Sequence, residues 1–565
     1  MTRNASVLAG FVLMLAAIRL PLAAQSPETI LYNGKIVTVD AAFRYAQAIA
    51  IAGGKILAVG SDAEIRKLAG ETTRQIDLRG RTVIPGLADN HLHSAGGGPG
   101  VDLSRVRTLG ELLEAIRARV LASKPGELVV SNSDWHEAQL KEQRLPLRRD
   151  LDTVAPENPV VVVRGGHTYI LNSLALRKWE INENTPVPEG GVISRYEDGT
   201  LNGELIDAAK SYVQLPALPP KDLETRIREQ QEEYRVLNAA GLTSVRHPGG
   251  PVEQYRLLEE MKKRGLLTMR VNFLLRLGGA RTPQEVGERV AAWNLKPGEG
   301  DDWLRVWGVK LGVDGGFEGG LMSQPYEEPY GKGGTYKGLQ TTTESTHTMT
   351  VKELSRLGWR VATHAVGDAA IGQVLRAYEA ANQERSITGR RWAIEHGFLP
   401  RLDHFPLLNR LEVMISAQDH LYLAGPSLVK YWGRQRANGV TPMRTYLDHL
   451  QNKMALSGGT DAPVVPYPPL WAIYHFVTRD TMTGGVLGPD QRISREEALR
   501  VMTIHNAYLN FEEKVKGSLE PGKYADLVVL SDDIMTCPAE RIRDIAVLAT
   551  MVGGQFVYQN DAFQL

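Results

Sequence analysis

The sequence predicts an α/β protein: a (β/α)8 barrel of the TIM type, with a β-sandwich built from both termini and an inserted α/β subdomain. Three observations predict it. Both ends of the chain read as short strands with glycine turns, the long middle alternates apolar strands with amphipathic helices, and 565 residues exceed what one core can organise. A hydrophobic fraction of 43% with 23% charged residues places the chain among ordinary globular proteins.

Taken in order, "MTRNASVLAGFVLMLAAIRLPLAAQSPE" has Arg3, an apolar run from Ala5 to Ile18 and the small-residue site "PLAAQ". This reads as a signal peptide over 1–24, which implies a periplasmic or secreted protein with no stable membrane span once the signal is removed. An uncleaved anchor is the competing reading, because Arg19 interrupts the pattern and Leu22 sits at the third position before the cut.

Residues 27–83 form the first half of the sandwich: "TILYNGKIVTVD" and "AQAIAIAGGKILAVG" alternate apolar and polar residues about Gly-Lys turns, which predicts hairpins. Residues 512–565 supply the second half through "GSLEPGKYADLVVLSDD" and "IAVLATMVGGQFVY". Between them, 84–511 holds "GLTSVRH", "LRVWGVKLGVDGG", "WRVATHAVGD", "RWAIEHG", "EVMISAQDH" and "MALSGGTDAP", with helical stretches such as "IGQVLRAYEAANQER" interleaved. Near-continuous apolar strands alternating with helices mean a parallel sheet, and closing it into a barrel brings reactive residues to the strands' C-terminal ends. About 104–225 is roughly 110 residues too long for one barrel unit and reads as an inserted subdomain with strands of its own, "GELVVSNSDW" and "PVVVVRGG".

Charge and cysteine content exclude some classes of partner. Lys+Arg and Asp+Glu both number 65, so no basic face is offered to nucleic acid or to another polyanion. Cys537 is the lone cysteine, so no intramolecular disulfide can form and the compartment cannot be read from cysteines. Nothing fixes the oligomeric state, and a homodimer stays open.

The chemistry starts at "VIPGLADNHLHSAGGG". His91 and His93 lie one residue apart and share a face, with Leu92 turned into packing. Two such imidazoles can hold one metal ion, and two loop histidines would read the same way. Later strand ends add Lys310 in "GVKLGVDGG", His364 in "VATHAVGD", His396 in "AIEHGF" and Asp461 in "SGGTDAPV". Each alone has a bland explanation: a histidine bonded within a loop, a paired lysine, an aspartate capping a helix. Together, in order at successive strand ends, four imidazoles and a carboxylate suit zinc or another borderline divalent ion, one or two per chain. A lysine among cations makes sense if carbon dioxide has converted its amine to a carbamate, an anion able to bridge two metals.

Those motifs, with "NSLAL", "AAGLTSV", "THAVGDAAI", "IEHG" and "GSLEPGKYADLVVL", resemble the amidohydrolase superfamily, and within it the N-substituted formamide deformylase-like branch, from about Ile30 to Tyr558. The resemblance implies a metal-dependent hydrolase barrel in which His91 and His93 are first-strand ligands, Lys310 the bridging carboxylated lysine, His364 and His396 the fifth- and sixth-strand ligands, and Asp461 the eighth-strand ligand and proton carrier. The sequence departs from the pattern at Asn90 (commonly Ser), His247 (commonly Asp) and Asp419 (commonly Pro), which bears on the substrate more than on the metal.

The activity so implied is cleavage of an amide- or formamide-type C–N bond in a small molecule by metal-activated hydroxide. His167 resembles a position facing the substrate, and Asp134, Trp135, Glu204, His247 and Gln418 are further substrate-side candidates. Arg479 is expected to pair a carboxylate within the fold. Two other readings remain: a mononuclear deaminase of the same superfamily, against which Lys310 argues, and a non-catalytic exported protein on this scaffold.

Overall fold

The computed structural model describes residues 26–96, 98–217, 219–327 and 334–563; the signal segment 1–24 lies outside them. Eight parallel strands form the central sheet: β1 (Leu87–Asp89), β2 (Leu242–Gly250), β3 (Arg270–Arg276), β4 (Leu304–Gly312), β5 (Val361–Ala365), β6 (Ala393–His396), β7 (Met414–Gln418) and β8 (Leu456–Gly459). Each pairs with the next in sequence, in the order β8-β7-β6-β5-β4-β3-β2-β1. This is the expected (β/α)8 barrel. Its strands are buried along nearly their whole length, because helices such as Asp368–Glu384 pack outside while the barrel's own side chains fill the middle.

The seam between β8 and β1 is closed largely by side chains. The Asn506 amide donates to the carbonyls of Ala88 and Gly458, at 2.5 and 2.9 Å, and its oxygen accepts from the Gly458 N–H at 3.0 Å. One turn above, the buried Asp89 carboxylate accepts from the N–H of His91 at 2.8 Å and from the N–H and hydroxyl of Thr460 at 3.0 and 2.7 Å. Burial raises its pKa to about 7 even against these donors.

Two further sheets flank the barrel. One has the order Lys55–Gly60, Ala48–Ala52, Thr29–Tyr32, Arg74–Asp77; the other runs Gln555–Gln559, Val547–Val552, Leu527–Leu530, Thr82–Pro85, Lys35–Val37, Tyr45–Ala46. N- and C-terminal strands thus share one six-stranded sheet, and Leu31, Ile36, Ile49, Val83, Leu527 and Met551 pack in a common core. Ala48–Ala52 and Lys55–Gly60 form a hairpin whose turn, Gly53 and Gly54, has φ of 57° and 73°, values that glycine adopts freely. "TILYNGKIVTVD" is not the hairpin expected: its halves belong to different sheets, Thr29–Tyr32 pairing Ala48–Ala52 and Lys35–Val37 pairing Tyr45–Ala46 and Thr82–Pro85. The turn at Asn33–Gly34 carries the chain between sheets, so that Leu31 and Ile36 both enter the shared core.

A five-stranded sheet, ordered Gly191–Arg195, Leu201–Asp207, Thr168–Leu171, Val160–Arg164, Val129–Val130, lies between β1 and the helix Leu223–Ala239. No helix among the described residues is long and apolar enough to cross a membrane.

Candidate active site

The six strand-end residues converge on one cavity of about 490 Å³ at the C-terminal mouth of the barrel. His91 and His93 leave β1 with ring centroids 5.4 Å apart, and Leu92 between them is buried in the barrel core. His396 stands 4.7 Å from His91 and 4.5 Å from His364, centroid to centroid. Asp461, just past β8, puts Oδ1 3.3 Å from His91 Nε2 and 3.2 Å from His93 Nε2. His396 and Asp461 both have positive φ, 74° and 63°, a backbone state that costs non-glycine residues of order 1–3 kcal/mol and clusters at functional sites.

What stands behind each histidine sets which nitrogen faces inward. His91 Nδ1 lies 2.6 Å from the Glu395 carboxylate, which places the proton there and the lone pair on Nε2. Glu395 is gripped in turn by Arg246 at 2.7 Å, whose guanidinium lies 4.0 Å over the Trp307 ring. Burial would raise the Glu395 carboxyl, but Arg246 and His91 hold it well below the usual range. His396 Nδ1 donates to Gln418 Oε1 at 2.7 Å, and Gln418 is fixed in that orientation because its Nε2 donates to the carbonyl and hydroxyl of Ser416. His364 Nε2 donates to the Gly315 carbonyl at 3.1 Å, which leaves the lone pair on Nδ1.

Burial pushes His93, His364 and His396 below the ordinary imidazole range, so all three are neutral donors. Burial lowers Lys310 to about 8 against the pull of Glu395 and Asp461. Burial alone would raise Asp461, yet the imidazoles of His91, His420 and His93 gathered around it, with the hydrogen bond from His420 to Oδ2, hold it well below the usual carboxylate range.

The donor set fits a divalent ion. Asp461 Oδ1 is buried without a hydrogen bond although two imidazole nitrogens lie 3.2 and 3.3 Å away. For His91 that nitrogen carries a lone pair, so lone pairs face one another with no proton between them. Bonds of about 2.0–2.1 Å in a tetrahedral site imply donor-to-donor edges of about 3.3 Å. His91, His93 and Asp461 form one such group, and His396, His420 and Asp461 a second sharing the carboxylate.

The second-tier candidates scatter. His167 lines the cavity, its Nδ1 2.6 Å from Asp207 Oδ1. A Cβ on Gly316 would come within 2.7 Å of the His167 ring, so only glycine lets that loop lie against it. Gln418 orients His396 and does not line the cavity. His247 stacks on Phe273 at 4.7 Å beside His93, behind the site. Trp135 belongs to a core it shares with Leu103, Leu112, Val160 and Ile170, its indole donating to the Val163 carbonyl at 2.7 Å, and the neighbouring Ser133 reaches the cavity where Asp134 does not. Glu204 lines a separate cavity of about 510 Å³ with Glu137 and Tyr431. Among the described residues Arg479 pairs no carboxylate: it is buried and donates to the carbonyls of Leu487, Thr441, Asn438 and Val440, because a helix end and its following loop present these oxygens where a carboxylate was expected.

Sequence reasoning missed Glu395, Arg246 and Asp207, and it missed His420, whose Nε2 lies 2.9 Å from Asp461 Oδ2. His420 stands two residues beyond Gln418 in "SAQDH", which was a usable signal.

An eight-stranded barrel with buried neutral imidazoles and an ionised carboxylate converging at its mouth defines a metal-dependent hydrolase. From residue 74 to 558 the chain matches the amidohydrolase family. It is 30% identical over 551 residues to N-substituted formamide deformylase of Arthrobacter pascens, covering 95% of this chain and 99% of that one. It is likewise 30% identical over 559 residues to the protein LONG AFTER FAR-RED 3 of Arabidopsis thaliana, covering 94% and 91%. An uncharacterized metal-dependent hydrolase from Pyrococcus furiosus has the same fold, with a TM-score of 0.63 at 26% identity over 90% of this chain and 100% of that one. The chain belongs to the amidohydrolase family: it is a metal-dependent hydrolase acting on carbon–nitrogen bonds other than peptide bonds.

Proposed function

We propose that His91, His93, Lys310, His364, His396 and Asp461 hold two divalent ions, zinc by preference, with Lys310 carboxylated by carbon dioxide as the bridging ligand, and that the enzyme cleaves an amide- or formamide-type bond of a small molecule. The observation that carries this is Asp461 Oδ1, buried and without a hydrogen bond between two imidazole nitrogens. The lowered amine of Lys310 supports carboxylation, since only the neutral amine attacks carbon dioxide. The relative named N-substituted formamide deformylase supports the bond type.

Ions bound there supply a water acidified to near neutral pH and a polarised carbonyl. The chain supplies the rest. The Asp461 carboxylate, ionised and steadied at Oδ2 by His420, takes the proton of the attacking water and passes it to the leaving nitrogen. His167, with its proton on Nδ1 against Asp207, turns Nε2 to the cavity as an acceptor for a substrate N–H. The apolar run from Ala5 to Ile18, followed by the small-residue site near Ala24, supports export to the periplasm or the medium.

Metal analysis of the purified protein, followed by a screen of formamides, amides, lactams and esters with and without chelator, tests the reading. About two ions per chain and activity that chelator removes and zinc restores are expected. Full activity with one ion would favour the mononuclear reading, and activity indifferent to chelator would end the proposal.

A further inference from the structure

Arg276 closes β3 at the cavity wall, one strand from the metal centre. It is in register with Lys310 on β4, so the two Cα atoms are separated by about one strand spacing, roughly 4.8 Å. Its side chain is exposed to the cavity, and among the described residues its one hydrogen bond runs from Nε to the Gly249 carbonyl at 3.3 Å. That bond fixes the plane of the guanidinium and leaves Nη1 and Nη2 uncommitted.

Among the described residues, each carboxylate at the cavity has a partner other than Arg276. Asp461 is held by His420, Glu395 by His91 and Arg246, and Asp207 by His167. Asp314 accepts the N–H groups of Leu321, Val366 and Gly367. A second cation lies close by: Lys210 donates to the carbonyl of Gly166, a cavity residue, and its ammonium is lowered from the ordinary value by burial and further by the charge of Arg276. Leu277, Leu311 and Pro463 give the cavity apolar wall.

We infer that Arg276 is a specificity residue that binds a carboxylate of the substrate, so that the preferred amides are small molecules carrying a carboxylate a few bonds from the scissile amide. An arginine suits this because its planar fork matches a carboxylate with two parallel N–H donors, which a lysine cannot do. The inference rests on the reading of this cavity as the hydrolytic site, and it names the chemistry of what the cavity takes.

The test uses the zinc-loaded full chain and two matched pairs that place the carboxylate on either side of the amide: N-acetylglycine against N-acetylglycinamide, and succinamate against propionamide. Binding is measured by calorimetry and turnover alongside it, in wild type, Arg276→Met and Arg276→Lys. Wild type is expected to favour the carboxylate member of at least one pair about tenfold to a hundredfold, the range of a charge-assisted hydrogen-bonded pair. That preference should fall to within about threefold of none in Arg276→Met and be partly restored in Arg276→Lys. No preference in wild type, or a preference that survives Arg276→Met, overturns the inference. So does loss of zinc from Arg276→Met with the preference intact, which would assign Arg276 to the carbamate on Lys310. Carboxylate binding that depends on Arg276, with none of the four compounds turned over, would instead count against the hydrolytic reading and leave the anion site standing.

Discussion

The two halves of the proposed metal centre are supported by different chemistry. On the β1 side, His91 leans on a buried ion pair: Glu395 accepts from its Nδ1, and Arg246 holds Glu395, all three shut away from water. On the β5–β6 side, His364 and His396 lean on neutral oxygens, the Gly315 carbonyl and the Gln418 amide. A carboxylate behind an imidazole raises its basicity as a ligand, whereas an amide oxygen mainly fixes the tautomer. A buried ion pair is also more fragile, since losing one partner strands the other's charge. The centre therefore has one strongly polarised and structurally exacting side, and one neutral and more tolerant side.

The largest expected effect lies where the halves meet. Asp461→Asn keeps an oxygen donor but removes the proton acceptor, so kcat should drop by about 10²- to 10⁴-fold while metal analysis still finds bound ions. A change under threefold would show that the proton travels by another route.

The comparison itself breaks or stands on Glu395→Gln against Gln418→Met. The first strands Arg246 and should cost about 3–5 kcal/mol of stability in chemical denaturation, with ion affinity down about 10- to 100-fold. The second leaves a buried N–H of His396 without an acceptor and should cost about 1–3 kcal/mol. Equal costs would mean that the two kinds of support are interchangeable.

The smallest effect, per residue, comes from acid. Gln418 and the Gly315 carbonyl do not titrate, and Glu395 stays ionised because its carboxyl is held low. Between pH 6.5 and about 5, above the range in which carboxylates of the unfolded chain take up protons, the groups whose titration lowers stability are histidines. Burial pushes His347 and His475 down to about 3 and His505 to about 4. Below about 6.5, the ordinary imidazole value, the unfolded chain binds protons that the folded chain refuses, so stability present above that pH falls as pH drops. Each such histidine contributes a slope of up to about 1.4 kcal/mol per pH unit. Thermal melts from pH 7 to 4.5 should show that limb, and His347→Phe, remote from the centre, should make it shallower; an unchanged slope would return the acid sensitivity to the centre.

The barrel was legible because each strand is a short apolar run ending in polar or glycine residues, and "VATHAVGD" or "SGGTDAPV" says as much without its neighbours. The residues behind the histidines were not legible. Alternation along a strand puts Glu395 and His396 on opposite faces, yet positive φ at His396 turns both toward the centre. Trp135 and Glu204 were hard to place for another reason. They lie on or beside the five-stranded sheet, and a strand's pattern shows that a face is buried without showing whether a core or a cavity covers it. Arg479 reads as a charge seeking a charge, and only the fold shows four carbonyls gathered around it.

The seam carries a consequence for how the molecule matures. The pocket's first imidazole comes from residue 91 and its carboxylate from residue 461, and the amide that clasps their strands belongs to residue 506. A ribosome must therefore deliver nearly the whole polypeptide before the ring can shut. In nascent or C-terminally clipped chains these side chains stay apart, and on the proposed reading any loading with ions becomes a late event, after the C-terminal segment has docked.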